Sequence, residues 1–159
     1  MAAPWHMIEE KIEDAFAAAL LTEYGGSADA AGLITGGDLD GLRLLVGFSL
    51  DDIQPPYISI IADESEPSEV GLAEATGNQN VKVRLKVCGH RGEATRAGHS
   101  ALAAKMKDFA YASNLETLLN DAAITDLTVT RTYPQNTQRT IEEAMLCTET
   151  IISVKAKPS

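Results

Sequence analysis

The sequence has few of the residues that commonly carry chemical function. Its 159 residues include two cysteines, three histidines and one tryptophan, and aromatic residues make up 5% of the chain. Two cysteines cannot build a disulfide framework, and they contribute little to a zinc site, which generally needs four ligands. So few aromatic rings also argue against a surface on which nucleic-acid bases stack. These shortages point away from disulfide-rich scaffolds, zinc modules and base-stacking proteins.

Signals for export and for membrane insertion are also missing. The first residues contain no basic segment followed by a long apolar one, and no apolar run elsewhere approaches the ~20 residues that span a bilayer. We therefore expect a soluble cytoplasmic protein that does not bind membranes. In that compartment Cys88 and Cys147 would stay reduced thiols rather than form a disulfide.

Basic residues are scarce in the first half of the chain only. Residues 1–80 contain fifteen acidic and two basic residues, a net charge of −13, whereas residues 81–159 contain eight acidic and eleven basic residues, a net charge of +3. The total of −10 opposes direct binding to nucleic acid, because such binding depends on clustered Lys and Arg side chains. An uneven charge distribution bears instead on partners and assembly.

The change of sign coincides with a strand pattern at residues 81–87. Apolar residues alternate there with Lys82, Arg84 and Lys86, so four apolar side chains and three cations occupy opposite faces. The cations favour two interpretations: a solvated face that protects the sheet from aggregation, or a positive surface that contacts acidic residues of a neighbouring copy. The acidic segment that could complement them, within one chain or between chains, contains Asp63, Glu64, Glu66 and Glu69.

Hydrophobic periodicity and turn residues predict the helices and strands. Helices are expected over residues 7–22, from Glu93 or Thr95 to Ala110, and over residues 115–122. Strands are expected over residues 42–48, 57–62, 81–88, 126–133 and 145–156. Pro134 should end the fourth strand, because proline cannot donate to a sheet ladder, and a polar link should precede the last strand.

The order of these elements is typical of an α+β fold. Two stretches rich in turn-forming residues, at 25–41 and 63–80, are predicted to be flexible loops. We expect a single α+β domain over residues 1–159, with a mostly antiparallel sheet and helices packed on one face.

No motif in the sequence specifies a catalytic or metal site. Cys88, His90 and His99 lie close together but have no fourth zinc ligand nearby. The turn at residues 89–92 lacks the phosphate-loop spacing, and no Gly-x-Ser-x-Gly nucleophile motif occurs. The alternative from another class is a small enzyme of the hydrolase type that uses His90 or His99 near Arg91. That alternative requires a ligand-binding pocket or a perturbed histidine.

The order of several segments carries a family resemblance. Pro56-Tyr57-Ile58-Ser59-Ile60 opens a strand, and an acidic loop follows. Next come the alternating strand at 81–87, a helix centred on residues 99–109, Leu118-Leu119-Asn120 and two closing strands. This arrangement resembles the tail-terminator proteins of long-tailed bacteriophages, and the resemblance covers most of the chain.

The resemblance implies a structural virion protein with no catalytic, cofactor or metal site. Six copies would form a ring at the head-proximal end of the tail, stop polymerisation of the tail-tube protein and join the tube to the neck or connector protein. Assembly would take place in the host cytoplasm, and DNA would pass through the lumen without specific binding, because an acidic lumen repels phosphate. Another head–tail connector, neck or tail-tube component is the nearest alternative.

A closed head-to-tail ring requires two different, complementary surfaces on each subunit. The uneven charge of this chain meets that requirement. The residues predicted to form the subunit or partner interface are Lys82, Arg84, Lys86 and Arg91, with Asp63, Glu64, Glu66 and Glu69.

Overall fold

The structure, a computed structural model, describes residues 5–47, 56–67, 79–90, 93–122, 127–142 and 145–158. Its helices are α1 (Trp5–Tyr24), α2 (Glu93–Ala110) and α3 (Leu115–Asp121). Its strands are β1 (Ser27–Ala28), β2 (Ile34–Thr35), β3 (Arg43–Val46), β4 (Tyr57–Pro67), β5 (Gln79–His90), β6 (Leu127–Glu142) and β7 (Met145–Pro158). These elements form an α+β fold, as predicted.

Five strands form one mixed sheet in the order β3-β4-β5-β7-β6. The pairs β4–β5, β5–β7 and β7–β6 are antiparallel, whereas β3 lies parallel to β4, with Arg43 opposite Tyr57. The prediction of a mostly antiparallel sheet is corrected here to a mixed sheet. Residues 47–56 separate β3 from β4 along the chain, and residues 48–55 lie outside the described part.

One face of the sheet is covered by the three described helices. Along β5, Val81, Val83, Leu85 and Val87 are at most 1% exposed, as their alternation predicts. The α1 side chains that join this core recur every three or four residues and are Ile8, Ile12, Ala15, Phe16, Ala19 and Leu20. Phe109 of α2 packs its ring edge-on against Phe16, with the ring centroids 6.3 Å apart. The prediction that the helices pack on one face is confirmed.

The strand β6 is longer than predicted because it continues through Pro134. It pairs with β7 along its whole length, with register shifts next to Val129 and Pro134. Proline is accommodated because β6 is an edge strand, where a missing N–H need not break a ladder, and because the register shift absorbs the irregular backbone. The prediction that Pro134 ends the strand is therefore wrong, and the expected polar link is part of the ladder.

The segment at residues 25–41 combines turns with a small ladder. β1 and β2 pair antiparallel, and Ile34 is buried in the core. The Leu44 N–H donates to the Gly32 carbonyl oxygen at 2.7 Å, so this segment pairs with the outer edge of β3. Gly32 has a φ of +86°, and a Cβ there would collide with the Leu44 carbonyl, which explains the need for glycine.

Strands also extend into the second stretch predicted as a loop. β4 continues to Pro67 and β5 begins at Gln79, so only the middle of the stretch at 63–80 falls between strands. Residues 68–78 lie outside the described part of the chain. The ladder therefore brings part of the acidic segment alongside the basic strand.

Cys88 and Cys147 form a disulfide, which corrects the prediction of reduced thiols. The antiparallel register of β5 and β7 places the two residues directly opposite each other, with their Cα atoms 4.2 Å apart. Both are fully buried. Their separation of 59 residues gives the sequence no local signal for the pairing.

Candidate functional site

Cations collect on the side of the sheet that faces away from the helices. Lys82, Arg84 and Lys86 alternate with the buried residues of β5, so their side chains point to this opposite side. The register of β6 and β7 adds further cations there, because Arg131 lies directly opposite Lys155. We call this the basic sheet face and define it by Lys82, Arg84, Lys86, Arg131, Lys155 and Lys157.

Contacts within the basic sheet face hold some of its cations in place. Arg84 Nη1 lies 3.2 Å from Glu149 Oε1, and both side chains are partly exposed. An ion pair of this kind contributes only about 0–1 kcal/mol to stability. The guanidinium carbon of Arg131 lies 4.9 Å from the ring centroid of Tyr133. Arg131 and Lys155 carry like charges on opposed positions, which concentrates positive potential at this point.

The acidic segment of β4 runs beside the basic strand in the same subunit. The register places Asp63 opposite Lys82 and Glu66 opposite Asn80, and Glu64 lies between them. The sequence left open whether this segment lies near the basic strand of its own chain or of another chain. The pairing of β4 with β5 places it beside the basic strand of its own chain. Two further predicted interface residues, Glu69 and Arg91, lie outside the described residues.

A second acidic surface lies on the helix side of the molecule. Glu9, Glu10, Glu13 and Asp14 of α1 line a cavity of about 470 Å³ together with Val46, Gly47 and Ala62. Glu10 and Asp14 are exposed. Because α1 packs on one side of the sheet and the basic residues point to the other, the uneven charge of the sequence becomes a separation of charge in space.

Glu13 is the buried member of this acidic group. Its Oε2 accepts a hydrogen bond from the Ala62 N–H at 2.8 Å. The neighbouring strand β3 ends at Val46, which pairs with Ile60. The Ala62 N–H therefore lies beyond the end of this parallel ladder and donates its hydrogen bond to the Glu13 carboxylate. Burial raises the pKa of Glu13, and the nearby Asp14 adds to this effect. Sequence reasoning missed Glu13, although an acidic residue next to the apolar stripe of a helix is a usable signal.

His99 of α2 is buried. Its Nε2 lies 3.0 Å from Thr148 Oγ1, and its Nδ1 has no hydrogen-bond partner among the described residues. Burial lowers the pKa of His99, and the positive charge of Arg139 lowers it further. His99 also lines a cavity of about 320 Å³ between α2 and the β6–β7 hairpin.

The rest of the described chain offers little further chemistry. Within those residues, no group of three or more His, Cys, Asp or Glu side chains is placed to hold a metal ion. None of the described helices is long and apolar enough to cross a membrane. No protein-family model matches the chain, and no curated protein matches it in sequence. The candidate sites are therefore the pair of oppositely charged surfaces on the two sides of the sheet and the cavity at His99, whose lowered pKa meets the condition stated for the enzyme alternative.

Proposed function

We propose that this protein is a structural assembly protein, a phage tail terminator whose copies join head to tail into a six-membered ring. In this proposal the basic sheet face of one subunit contacts the acidic surface of α1 on the next. The observation that carries the proposal is the placement of these two surfaces on opposite sides of one sheet. Each subunit then presents two different and complementary surfaces, which a head-to-tail ring requires.

The α1 surface is a better complement for a neighbour than the acidic segment of β4. Asp63 already lies opposite Lys82 in the same subunit, so that segment shares a strand pair with the basic residues. Glu10 and Asp14 lie on the other side of the sheet and are exposed. The basic sheet face of a second copy can contact them. Within one subunit, the basic sheet face and these acidic residues lie on opposite sides of the sheet and cannot meet.

The charges of the chain also suit a ring through which DNA passes. A net charge of −10 per subunit repels phosphate, so a ring of such subunits avoids retaining the genome. The element order that supports the resemblance to tail terminators corresponds to α1, β4, β5, α2, α3 and the β6–β7 hairpin. In this role the ring ends the tail tube and joins it to the neck, and the protein needs no catalytic group.

Light scattering coupled to size-exclusion chromatography tests the proposal. Because the proposed contacts are between charged, partly exposed side chains, they should weaken as salt shortens the range of electrostatic attraction. We expect rings with six times the 16.9 kDa subunit mass at low salt and high protein concentration. We expect subunits at about 1 M salt, where the Debye length is about 3 Å. Electron microscopy of the low-salt sample should show closed rings. A monomer at every salt concentration, or an oligomer that salt does not affect, contradicts the proposal.

A further inference from the structure

We propose that the cavity between α2 and the β6–β7 hairpin binds an oxyanion, either a carboxylate or a phosphate group. The cavity has a volume of about 320 Å³, which is at the small end of the range for ligand pockets. We call it the cationic cavity. Its lining residues are His99, Ser100, Ala103, Ala104, Lys107, Thr137, Arg139 and Thr148.

The local sequence explains why a cavity forms at this place. The α2 residues that line it are spaced three or four apart and therefore share one helix face. Ala103 and Ala104 are small, which leaves room between the helix and the strands. Thr137 and Arg139 alternate along β6 and point to the same side, and Thr148 of β7 lies opposite Arg139.

The lining carries positive charge and hydrogen-bond donors. Lys107 and Arg139 supply two cations and Ser100 supplies a hydroxyl group, whereas the hydroxyls of Thr137 and Thr148 already lie within hydrogen-bond distance of Thr150 and His99. No acidic residue is among the described residues that line the cavity, and neither cation forms an ion pair with another of the described residues. A guanidinium group binds a carboxylate or phosphate through two parallel hydrogen bonds. A lysine ammonium adds attraction as a point charge. The chemistry of the lining therefore fits an oxyanion.

His99 sits at the inner side of the cavity and can report on its occupancy. Among the described residues, the charged groups that line the cavity are Arg139 of β6 and Lys107 of α2, while β7 presents Thr148 to the ring and β5 presents Gly89. Burial disfavours the imidazolium form, and the positive field of Arg139 lowers the pKa of His99 further. An anion beside Arg139 offsets that field, so its binding should raise the pKa of His99.

This inference is independent of the proposed ring. The cationic cavity lies on the helix side of the sheet, and none of its lining residues belongs to the basic sheet face. An oxyanion site would give the protein a small-molecule ligand or an anchoring point for an acidic group of a partner.

NMR of the His99 ring during titration with inorganic phosphate, and separately with acetate, tests the inference. Ionic strength is held constant with chloride, and the His99 signal is assigned by its loss in His99→Gln. We expect a saturable shift with a dissociation constant of roughly 1 mM and a higher His99 pKa at saturation. Arg139→Gln should weaken binding about tenfold or more, because it removes the bidentate donor.

Matched control variants distinguish specific oxyanion binding in the cavity from general electrostatic attraction. Lys105→Gln changes a cation on the same helix that does not line the cavity. This variant should bind as the unaltered protein does. Arg139→Lys keeps the charge and serves where Arg139→Gln fails to fold; it should weaken binding by a smaller factor. Saturation by phosphate alone assigns a phosphate group, and saturation by acetate assigns a carboxylate. A shift that does not saturate, or that Arg139 variants leave unchanged, overturns the inference.

Discussion

The buried carboxylate of Glu13 lies where the short strand β3 ends. It accepts a hydrogen bond from the Ala62 N–H, which lies past the last β3–β4 pair, Val46 and Ile60. Burying this acidic group raises its pKa, because the charged form loses its hydration. The hydrogen bond and the buried charge therefore have opposite effects on stability, and substitutions can separate them.

At neutral pH, Glu13→Gln and Glu13→Ala should have different effects on the free energy of unfolding. The glutamine keeps an oxygen that accepts from Ala62 but carries no charge, so we expect an unchanged or higher free energy of unfolding. The alanine leaves the Ala62 N–H buried without an acceptor, which should lower the free energy of unfolding by about 1–3 kcal/mol. Urea denaturation measures both, and Glu23→Gln, at an exposed position of α1 that does not influence Glu13, is the control.

The pH dependence of the Glu13 effect follows from the direction of its pKa shift. A raised pKa in the folded state means that the folded protein binds the proton more tightly than the unfolded chain. The contribution of Glu13 is therefore fully present below its ordinary pKa of 4.5 and is lost as pH rises through the folded-state pKa. The unaltered protein should gain stability relative to Glu13→Gln as pH falls. A difference between the two that does not change with pH contradicts this account.

At the scale of elements, the helix α3 covers the exposed edge of β6. Asn120 Nδ2 donates to the Val129 carbonyl oxygen at 2.9 Å, and the Val129 N–H donates to Asn120 Oδ1 at 2.9 Å. One turn earlier, Glu116 Oε1 accepts from the Thr132 N–H at 3.2 Å. These side chains take the place of a further strand and protect the edge from pairing with another chain.

Asn120→Ala should expose this edge. It removes two hydrogen bonds to Val129, and we expect the free energy of unfolding to fall by about 1–3 kcal/mol. Aggregation on gentle heating should also increase, because an unpaired strand edge templates contacts between chains. Asn114→Ala is the matched control, since Asn114 makes no side-chain capping hydrogen bond. Equal stability losses in the two variants would contradict the protective role of Asn120.

The disulfide joins two central strands of the sheet. Cross-linking residues 59 apart in sequence restricts the unfolded chain, and the loop-entropy relation gives about 4 kcal/mol for a loop of this size. We expect a reducing agent to lower the melting temperature of the unaltered protein and to leave that of the double variant Cys88→Ser, Cys147→Ser unchanged. Thiol titration of the denatured, unreduced protein should detect no free cysteine. Two titratable thiols in that sample would contradict the disulfide.

The sequence predicted elements with strong periodicity and missed features that depend on distant partners. The alternation of β5 and the apolar stripe of α1 are local patterns, and both elements form as expected. The parallel orientation of β3 and the pairing of Cys88 with Cys147 depend on which strands become neighbours, which local patterns do not contain. Glu13 was missed for the same reason, because its partner Ala62 lies 49 residues away.

For the whole molecule, the main feature is the separation of charge across the sheet. The basic strand was visible in the sequence, but its relation to the acidic helix required the fold, because only the fold shows that α1 and Lys82, Arg84 and Lys86 occupy opposite sides. The covered edges at β6 and β3 are consistent with assembly through faces rather than through continued strand pairing. In the proposed ring, charge on those faces determines how copies meet.

Reversing the basic strand should prevent ring formation without unfolding the subunit. The triple variant Lys82→Glu, Arg84→Glu, Lys86→Glu keeps the alternation of β5 and its buried face, so circular dichroism should remain that of a folded protein. We expect light scattering to give the subunit mass under conditions in which the unaltered protein forms rings. Lys105→Glu, a single reversal on the helix side, should leave the ring intact. Unchanged oligomer mass in the triple variant would contradict the predicted contact.

The most direct test mixes two variants whose charge reversals complement each other. One carries the triple reversal of the basic strand, and the other carries Glu9→Lys, Glu10→Lys and Asp14→Lys on α1. In each variant alone, the reversed residues give β5 and α1 charges of the same sign, and the variant should scatter light as a subunit. An equimolar mixture should recover the ring mass, because an acidic β5 of one variant then meets a basic α1 of the other, and a basic β5 meets an acidic α1, in alternation. A mixture that stays at the subunit mass while the unaltered protein forms rings would contradict assembly through these two faces.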